Sequence, residues 1–254
     1  MSDATGPAVR ALPPEPPAGA AADAPVDAPP VLLVHGFGSD GAADWIVPGT
    51  AGAIAATGRA VVVPDLAGHG AAPAPASAAE ATAPALARDL LAVMDGAGAD
   101  RFDIVGYSLG ARLAWEVVAR APERVERAVL GGLSPAEPFT AVDVAALHRA
   151  VTGGDVPDDP FTAAIAGMLR QHGDRARGLA LCVEGLRSTP FTGGRWPGRV
   201  PPVLVVGEND DLAKGIDGLV EHLGEARLVT VPGGHLEALG GTAFRGAVLD
   251  ALAR

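Results

Sequence analysis

Short apolar runs alternate with longer segments of helical periodicity along most of this chain. The runs are apolar at consecutive positions, and such strands belong in a sheet that is covered on both faces. They are also too short to be typical helices. The runs that we predict as strands are residues 31–36, 59–65, 102–107, 127–133, 202–207 and 227–231.

Segments of helical periodicity fill the intervals between the runs. In residues 82–96, for example, Leu86, Leu90 and Met94 form an apolar stripe along one helix face. Strands that alternate with helices form a mainly parallel sheet with right-handed crossovers. The pattern therefore predicts an α/β fold with a mainly parallel, doubly wound sheet. The other helices predicted around this sheet are residues 45–57, 109–120, 213–223 and 242–253.

The alternation breaks between residues 134 and 199. This segment has no convincing strand, and its helical stretches are separated by loops rich in glycine, proline and aspartate. We predict that it is a helical cap or lid over the active edge of the sheet. The α/β core then comprises residues 31–133 and 200–254. The helices predicted in the cap are residues 142–151, 162–172 and 175–187.

The first 30 residues have a different composition, with eight prolines and much alanine. Such a segment does not build a packed core, so we predict a flexible tail for residues 1–30. Residues 8–12 are the one candidate for a short edge strand. Because the N-terminus has no basic segment followed by an apolar one, we expect a cytoplasmic location.

Composition limits the partners that we expect. The formal net charge of −11 disfavours nucleic acid and an anionic membrane surface as partners. No apolar run approaches the roughly 18 residues of a membrane span, and the single cysteine, Cys182, excludes an internal disulfide. No group of His, Cys, Asp and Glu has metal-ligand spacing, so we expect neither metal nor cofactor. The expected partner is a small molecule with an apolar part.

A glycine-flanked serine stands between a predicted strand and a predicted helix. The motif is Gly106, Ser108 and Gly110 in the pattern G-x-S-x-G, which in this context forms a nucleophile elbow. The sharp turn strains the serine and leaves no room for side chains on the glycines. The helix that follows directs its first N–H groups at the reaction site, where they stabilise developing negative charge.

Polar residues follow two later strands. Asp210 comes shortly after the strand that ends at residue 207, and His235 follows the last strand. Because active residues of parallel sheets gather at the carboxyl ends of the strands, we expect both side chains at the edge that carries Ser108. A serine hydroxyl is a weak nucleophile and needs a base that an acid orients.

Five short motifs, taken in their order along the chain, resemble those of the α/β-hydrolase superfamily, in particular its capped, serine-nucleophile esterases and lactonases. The chain differs from the usual sequence of the family at three positions. Ala67 stands where arginine is common, and Ala71 and Ala72 stand where serine is common. These positions are structural and leave the catalytic assignment intact. The motifs are HGFG at 35–38, PDLAGHG at 64–70, GYSLG at 106–110, VGEND at 206–210 and PGGH at 232–235.

The resemblance implies roles for five residues. Ser108 would be the nucleophile, His235 the general base and acid, and Asp210 the acid that orients the histidine. The backbone N–H groups of Phe37 and Leu109 would form the oxyanion hole. For the pocket that binds the apolar part of the substrate, we expect contacts from Tyr107, Trp45 and Phe161.

Other polar residues have simpler interpretations. Asp211 is the alternative to Asp210, but the family places the acid three residues after the glycine of this loop, which favours Asp210. We interpret Glu208 as a solvated loop charge, and His35 and His69 as hydrogen-bonded scaffold residues. The remaining histidines are predicted at the surface or in the cap, where His148 and His172 are candidates for substrate contact.

The resemblance implies a serine hydrolase that cleaves a small carboxylic ester, lactone or thioester through an acyl-enzyme. The alternative is a C–C bond hydrolase or lyase that uses the same triad on an acidic diketone, with cap arginines as anion ligands. A third possibility, a non-catalytic binding protein of this fold, does not explain the serine and histidine. The candidate cap arginines are Arg149, Arg170, Arg187 and Arg195.

Overall fold

A computed structural model describes residues 8–15 and 28–253 and contains one seven-stranded sheet. The strand order is β1-β3-β2-β4-β5-β6-β7, and every neighbouring pair is parallel except β1 with β3. The predicted α/β fold class is therefore confirmed. The strands are β1 Val9–Leu12, β2 Val31–Val34, β3 Val61–Pro64, β4 Phe102–Tyr107, β5 Val125–Gly131, β6 Val203–Gly207 and β7 Arg227–Val231.

The central strand β4 is buried along its whole length. Its end is in register with the ends of both neighbours, because Gly106 pairs with Val34 of β2 and Tyr107 pairs with Gly131 of β5. The segments that follow the parallel strands β2, β3, β4, β6 and β7 consequently leave the sheet at the same edge. This register is what brings the five sequence motifs together.

Helices cover both faces of the sheet. One apolar cluster joins Leu32 and Ile104 to α2 and α3, and the other joins Leu33 and Val105 to α1, α8 and α9. Burial on both faces explains the continuously apolar strands. The helices outside the insertion are α1 Thr50–Ala55, α2 Ala83–Gly96, α3 Leu109–Arg120, α7 Ile216–Leu223, α8 His235–Gly240 and α9 Thr242–Ala253.

Three further helices lie between β5 and β6, in the segment predicted as a cap. They are α4 Val144–Val151, α5 Pro160–Arg170 and α6 Ala176–Ser188. Asp143 caps α4 by accepting from the N–H of Ala146, and Asp159 caps α5 by accepting from the N–H of Thr162. Among the described residues of this segment there is no strand, in agreement with the sequence pattern.

The N-terminal segment differs in part from the predicted tail. Val9–Leu12 form the edge strand β1, and Arg10 bonds Asp65 after β3 at 2.6 Å. The rest of the predicted tail falls largely on residues 1–7 and 16–27, which lie outside the described residues. None of the helices in residues 8–15 and 28–253 is long and apolar enough to cross a membrane.

Two helix predictions need correction. The helix predicted over residues 45–57 is divided into a short π-helical turn, Ala42–Ile46, and α1. Pro48 and Gly49 separate the two, and the left-handed φ of 84° at Gly49 ends any continuous helix. No helix is predicted over residues 235–240, but these residues form α8, which begins at His235.

Candidate active site

Ser108 occupies a strained turn between β4 and α3. Its φ of 54° is positive, which is found at no other non-glycine residue in the part of the chain that the structure describes. A Cβ atom on Gly106 would overlap the carbonyl group of Gly110, and one on Gly110 would overlap the carbonyl oxygen of Val34. Tight packing of three backbone segments therefore holds the serine in this conformation, as the motif predicts.

His235 and Asp210 lie side by side at the same edge of the sheet. Nδ1 of His235 is 2.8 Å from Oδ2 of Asp210, whose side chain is completely buried. The other carboxylate oxygen accepts from the N–H groups of Leu212 and Ala213, at 3.0 and 3.3 Å. A carboxylate only accepts hydrogen bonds, so Nδ1 of His235 donates and Nε2 is left for the cavity. Asp211, the alternative acid, instead pairs with Lys214 at the surface.

Tyr107 holds the backbone of His235. Its phenol donates to the carbonyl oxygen of His235, and the two rings lie 5.3 Å apart. Burial raises the pKa of Tyr107, so the phenol stays protonated and keeps donating. A Cβ atom on Gly132 would lie 3.0 Å from the histidine ring, which shows how closely β5 approaches it. The side chain predicted to contact substrate thus also fixes the position of the histidine.

Ser108 and His235 line one cavity. Among the hydrogen bonds of the described residues, none joins the serine hydroxyl to the histidine ring. Such a bond is often long before substrate binds and tightens in the reacting complex. The arrangement therefore brings together a strained serine, a histidine and a buried carboxylate in the order that nucleophilic catalysis requires.

The loop after β2 lies against the serine. A Cβ atom on Gly36 would be 3.5 Å from the Cβ of Ser108. Asp44 holds this loop by accepting from the N–H of Gly36 at 2.8 Å and from the hydroxyl of Ser39. Phe37 lines the cavity, as does Leu109, whose N–H lies in the first turn of α3 and has no intrahelical acceptor. Both predicted oxyanion donors thus border the cavity beside the serine.

The cavity encloses about 510 Å³ and is mainly apolar. Phe161 of α5 lines it, as predicted. Trp45 does not, and this prediction is wrong: the indole is fully buried in the apolar cluster that contains α1 and α9, 6.3 Å from the ring of Phe244. The other apolar lining residues are Phe37, Leu109, Leu133, Ala136, Pro138, Phe139, Ile165, Met168, Phe191, Leu212, Leu236 and Leu239.

Comparison with known proteins identifies the family to which the chain belongs. Residues 29–164 match the alpha/beta hydrolase fold family. The chain belongs to the α/β-hydrolase family. It is 36% identical over 116 residues to a 2-hydroxymuconate semialdehyde hydrolase of Pseudomonas putida, a match that covers 44% of this chain and 39% of that protein. The chain therefore matches less than half the length of this curated relative.

Solved structures of similar fold span the whole molecule. An enol-lactonase from Burkholderia xenovorans LB400 has a TM-score of 0.71 at 23% identity, and the match covers 98% of this chain and 96% of that one. A thermophilic esterase from Thermogutta terrifontis has a TM-score of 0.74 at 18% identity, covering 97% and 93%. At these identities the similarity establishes the α/β-hydrolase fold.

Two histidines of the family motifs serve as scaffold, as expected. Nε2 of His35 accepts from the N–H of Leu66 at 2.9 Å, and its Nδ1 lies 2.8 Å from the carbonyl oxygen of Gly36. Nδ1 of His69 lies 2.9 Å from the carbonyl oxygen of Ala67. Burial lowers the pKa of both rings, that of His69 to about 3. They are neutral residues that hold loops in place, and neither lines the cavity that contains Ser108.

The cap histidines also lie away from the cavity that contains Ser108. His148 pairs with Glu184 at 2.8 Å, and His172 faces Gly38 in a separate small pocket. The four candidate cap arginines are absent from the cavity lining as well. Arg170 and Arg187, for example, donate to backbone carbonyl groups of the insertion.

Three charged residues of the site escaped sequence analysis. Asp44 fixes the loop after β2, while Arg112 and Glu137 form an ion pair in the cavity wall. For Arg112 a signal exists, because it lies four residues after Ser108 and so one helical turn further along α3. Asp44 and Glu137 come from a loop-helix junction and the insertion, and no local pattern marks them.

Proposed function

We propose that this α/β-hydrolase is a serine hydrolase that cleaves a small carboxylic ester, lactone or thioester through an acyl-enzyme. The observation that carries the proposal is the strained Ser108 in one apolar cavity with His235, whose ring is bonded to the buried Asp210. A purely binding protein has no use for a strained serine beside an oriented histidine.

The reaction follows from these positions. Oγ of Ser108 attacks the acyl carbon while Nε2 of His235 takes the hydroxyl proton, and Asp210 stabilises the resulting imidazolium. The N–H groups of Leu109 and Phe37 bind the oxyanion, and one such donor lowers the barrier by about 3 kcal/mol. His235 then protonates the leaving alkoxide or thiolate. Water, deprotonated by His235, attacks the acyl-enzyme and releases the acid.

The cavity indicates the kind of substrate. Its walls are aliphatic and aromatic, and three of its apolar lining residues are exposed to solvent, namely Leu212, Leu236 and Phe161. Each methylene buried there contributes about 0.8 kcal/mol, or about a fourfold gain in kcat/KM. We therefore expect the rate to rise with chain length until the volume of about 510 Å³ is filled.

A second candidate function is C–C bond hydrolysis of an acidic diketone by the same triad. The similarity to a 2-hydroxymuconate semialdehyde hydrolase favours it. The cavity favours an uncharged ester. Arg112 is the one arginine or lysine that lines it among residues 8–15 and 28–253, and Arg112 is already paired with Glu137. We therefore rank C–C hydrolysis second.

The test is hydrolysis of p-nitrophenyl esters from acetate to dodecanoate by the wild type and by Ser108→Ala. We expect a clear optimum at short or medium chain and its loss in the variant. Ser134→Ala is the matched control, because Ser134 lines the same cavity without forming part of the proposed triad. Folded wild type that turns over no ester would contradict the proposal, and acidic diketones would then be assayed.

A further inference from the structure

A buried ion pair forms part of the cavity wall. The side chains of Arg112 and Glu137 are 8% and 1% exposed, yet both line the cavity that holds Ser108. Arg112 stands one turn beyond the serine on α3, and Glu137 stands at the start of the insertion between β5 and β6. The proposed triad uses neither charge.

Both charges are satisfied within the protein. Besides Glu137, the Arg112 guanidinium donates to the carbonyl oxygen of Leu186 at 3.2 Å and to that of Thr189. Glu137 also accepts from the N–H of Phe139 at 3.2 Å. Arg112 therefore links both ends of the insertion to α3, and it does so through hydrogen bonds from both of its terminal nitrogens to protein acceptors.

The charge balance of the lining is unfavourable to an anion. Its other ionisable side chains are Asp44, Tyr107 and His235. Two carboxylates, those of Asp44 and Glu137, thus accompany a single guanidinium, which is already paired. A substrate carboxylate entering this cavity would lose its water without gaining a free cation.

We infer that Glu137 determines substrate charge: by occupying Arg112, it makes the cavity reject carboxylate-bearing substrates and accept uncharged ones. This inference adds a substrate preference to the proposed function. Its kinetic test rests on that function, because the test measures ester hydrolysis. Removing the negative charge of Glu137 leaves a buried, unpaired guanidinium one helical turn from the nucleophile. The cavity then has the ligand that a carboxylate prefers.

The kinetic test compares two esters of equal acyl length, p-nitrophenyl hexanoate and mono-p-nitrophenyl adipate. In Glu137→Gln, we expect the adipate-to-hexanoate ratio of kcat/KM to rise at least tenfold over wild type. Glu184→Gln is the matched control, because Glu184 is a carboxylate of the insertion that pairs with His148 outside the cavity. Its ratio is expected to equal that of wild type. An unchanged ratio in Glu137→Gln, with both rates reduced alike, would show a purely structural pair and overturn the inference.

A binding test does not depend on turnover. The double variant Ser108→Ala/Glu137→Ala has space beside Arg112 that should admit acetate. We therefore expect its thermal midpoint to be several degrees higher in sodium acetate than in sodium chloride at equal ionic strength. Ser108→Ala alone should show no such difference. Equal midpoints in the two salts for the double variant would overturn the inference. If wild type hydrolyses no ester but acetate stabilises the double variant, the proposed function fails and the charge-selection inference stands.

Discussion

His69 offers a quantitative prediction about pH and stability. The ring is 3% exposed, its Nδ1 bonds the carbonyl oxygen of Ala67, and its buried Nε2 has no partner among the described residues. Burial, reinforced by the neighbouring His35, lowers its pKa from 6.5 to about 3. In the folded protein the ring is therefore neutral at pH 5, whereas in the unfolded chain it takes up a proton below pH 6.5.

The sign and size of the effect follow from proton linkage. Below pH 6.5 the unfolded state binds more protons, so the free energy of unfolding falls as the pH falls, until the folded pKa is reached. Between pH 7.5 and pH 5, the loss due to His69 is RT ln(1 + 10^1.5), or about 2 kcal/mol. The exact folded pKa barely matters, because any value below about 4 leaves the folded ring unprotonated at pH 5.

The assay is urea unfolding of wild type and His69→Gln at both pH values. Glutamine does not titrate, and its amide still donates a hydrogen bond, so the variant should lose about 2 kcal/mol less than wild type between pH 7.5 and pH 5. The buried His35 is present in both proteins and cancels in the comparison. His222→Gln, at an exposed position of α7, should behave as wild type. Equal pH dependence in wild type and His69→Gln would refute the reasoning.

Four other substitutions test the architecture of the site and of the fold around it. Gly110→Ala places a Cβ atom against a carbonyl oxygen of β2 and should lower the free energy of unfolding by about 4 kcal/mol or more. Gly52→Ala, whose Cβ atom would stand in open space on α1, should raise the free energy of unfolding by about 0.5–1 kcal/mol. Thermal or urea unfolding measures both. Asp210→Asn removes the charge that orients His235 and should lower kcat on the best p-nitrophenyl ester about 10⁴-fold; an unaltered kcat would remove Asp210 from the triad. Asp44→Ala removes both acceptors that hold the loop beside the serine and should lower kcat on the order of 10²-fold, and a rise confined to KM would contradict a role in positioning the oxyanion donors.

The sequence predicts the sheet well, because burial on both faces imposes an apolar pattern that is readable locally. It also predicts the strained turn at Ser108, since the flanking glycines are a direct consequence of backbone contacts. The local sequence pattern does not predict where the side chain of Trp45 packs. An apolar ring near a helix start fits either face of the sheet, and only the tertiary packing against Phe244 decides between them. The same limit applies to the ion pair of Arg112 with Glu137, whose partners are 25 residues apart.

Two parts of the chain form the site, the start of α3 and the insertion between β5 and β6, and they meet at α3. The start of this helix carries Ser108 and the N–H of Leu109, so its placement against the sheet sets the reaction geometry. One turn later Arg112 fastens the ends of the insertion, which supplies Glu137 and much of the apolar lining. Substitutions in the insertion that leave the carbonyl contacts of Leu186 and Thr189 with Arg112 in place therefore change the charge and shape of the cavity. The proposed triad, which follows the ends of β4, β6 and β7, keeps its geometry. Substrate preference should accordingly respond to changes at Glu137, Phe161 or Met168 far more than the rate of the chemical step does.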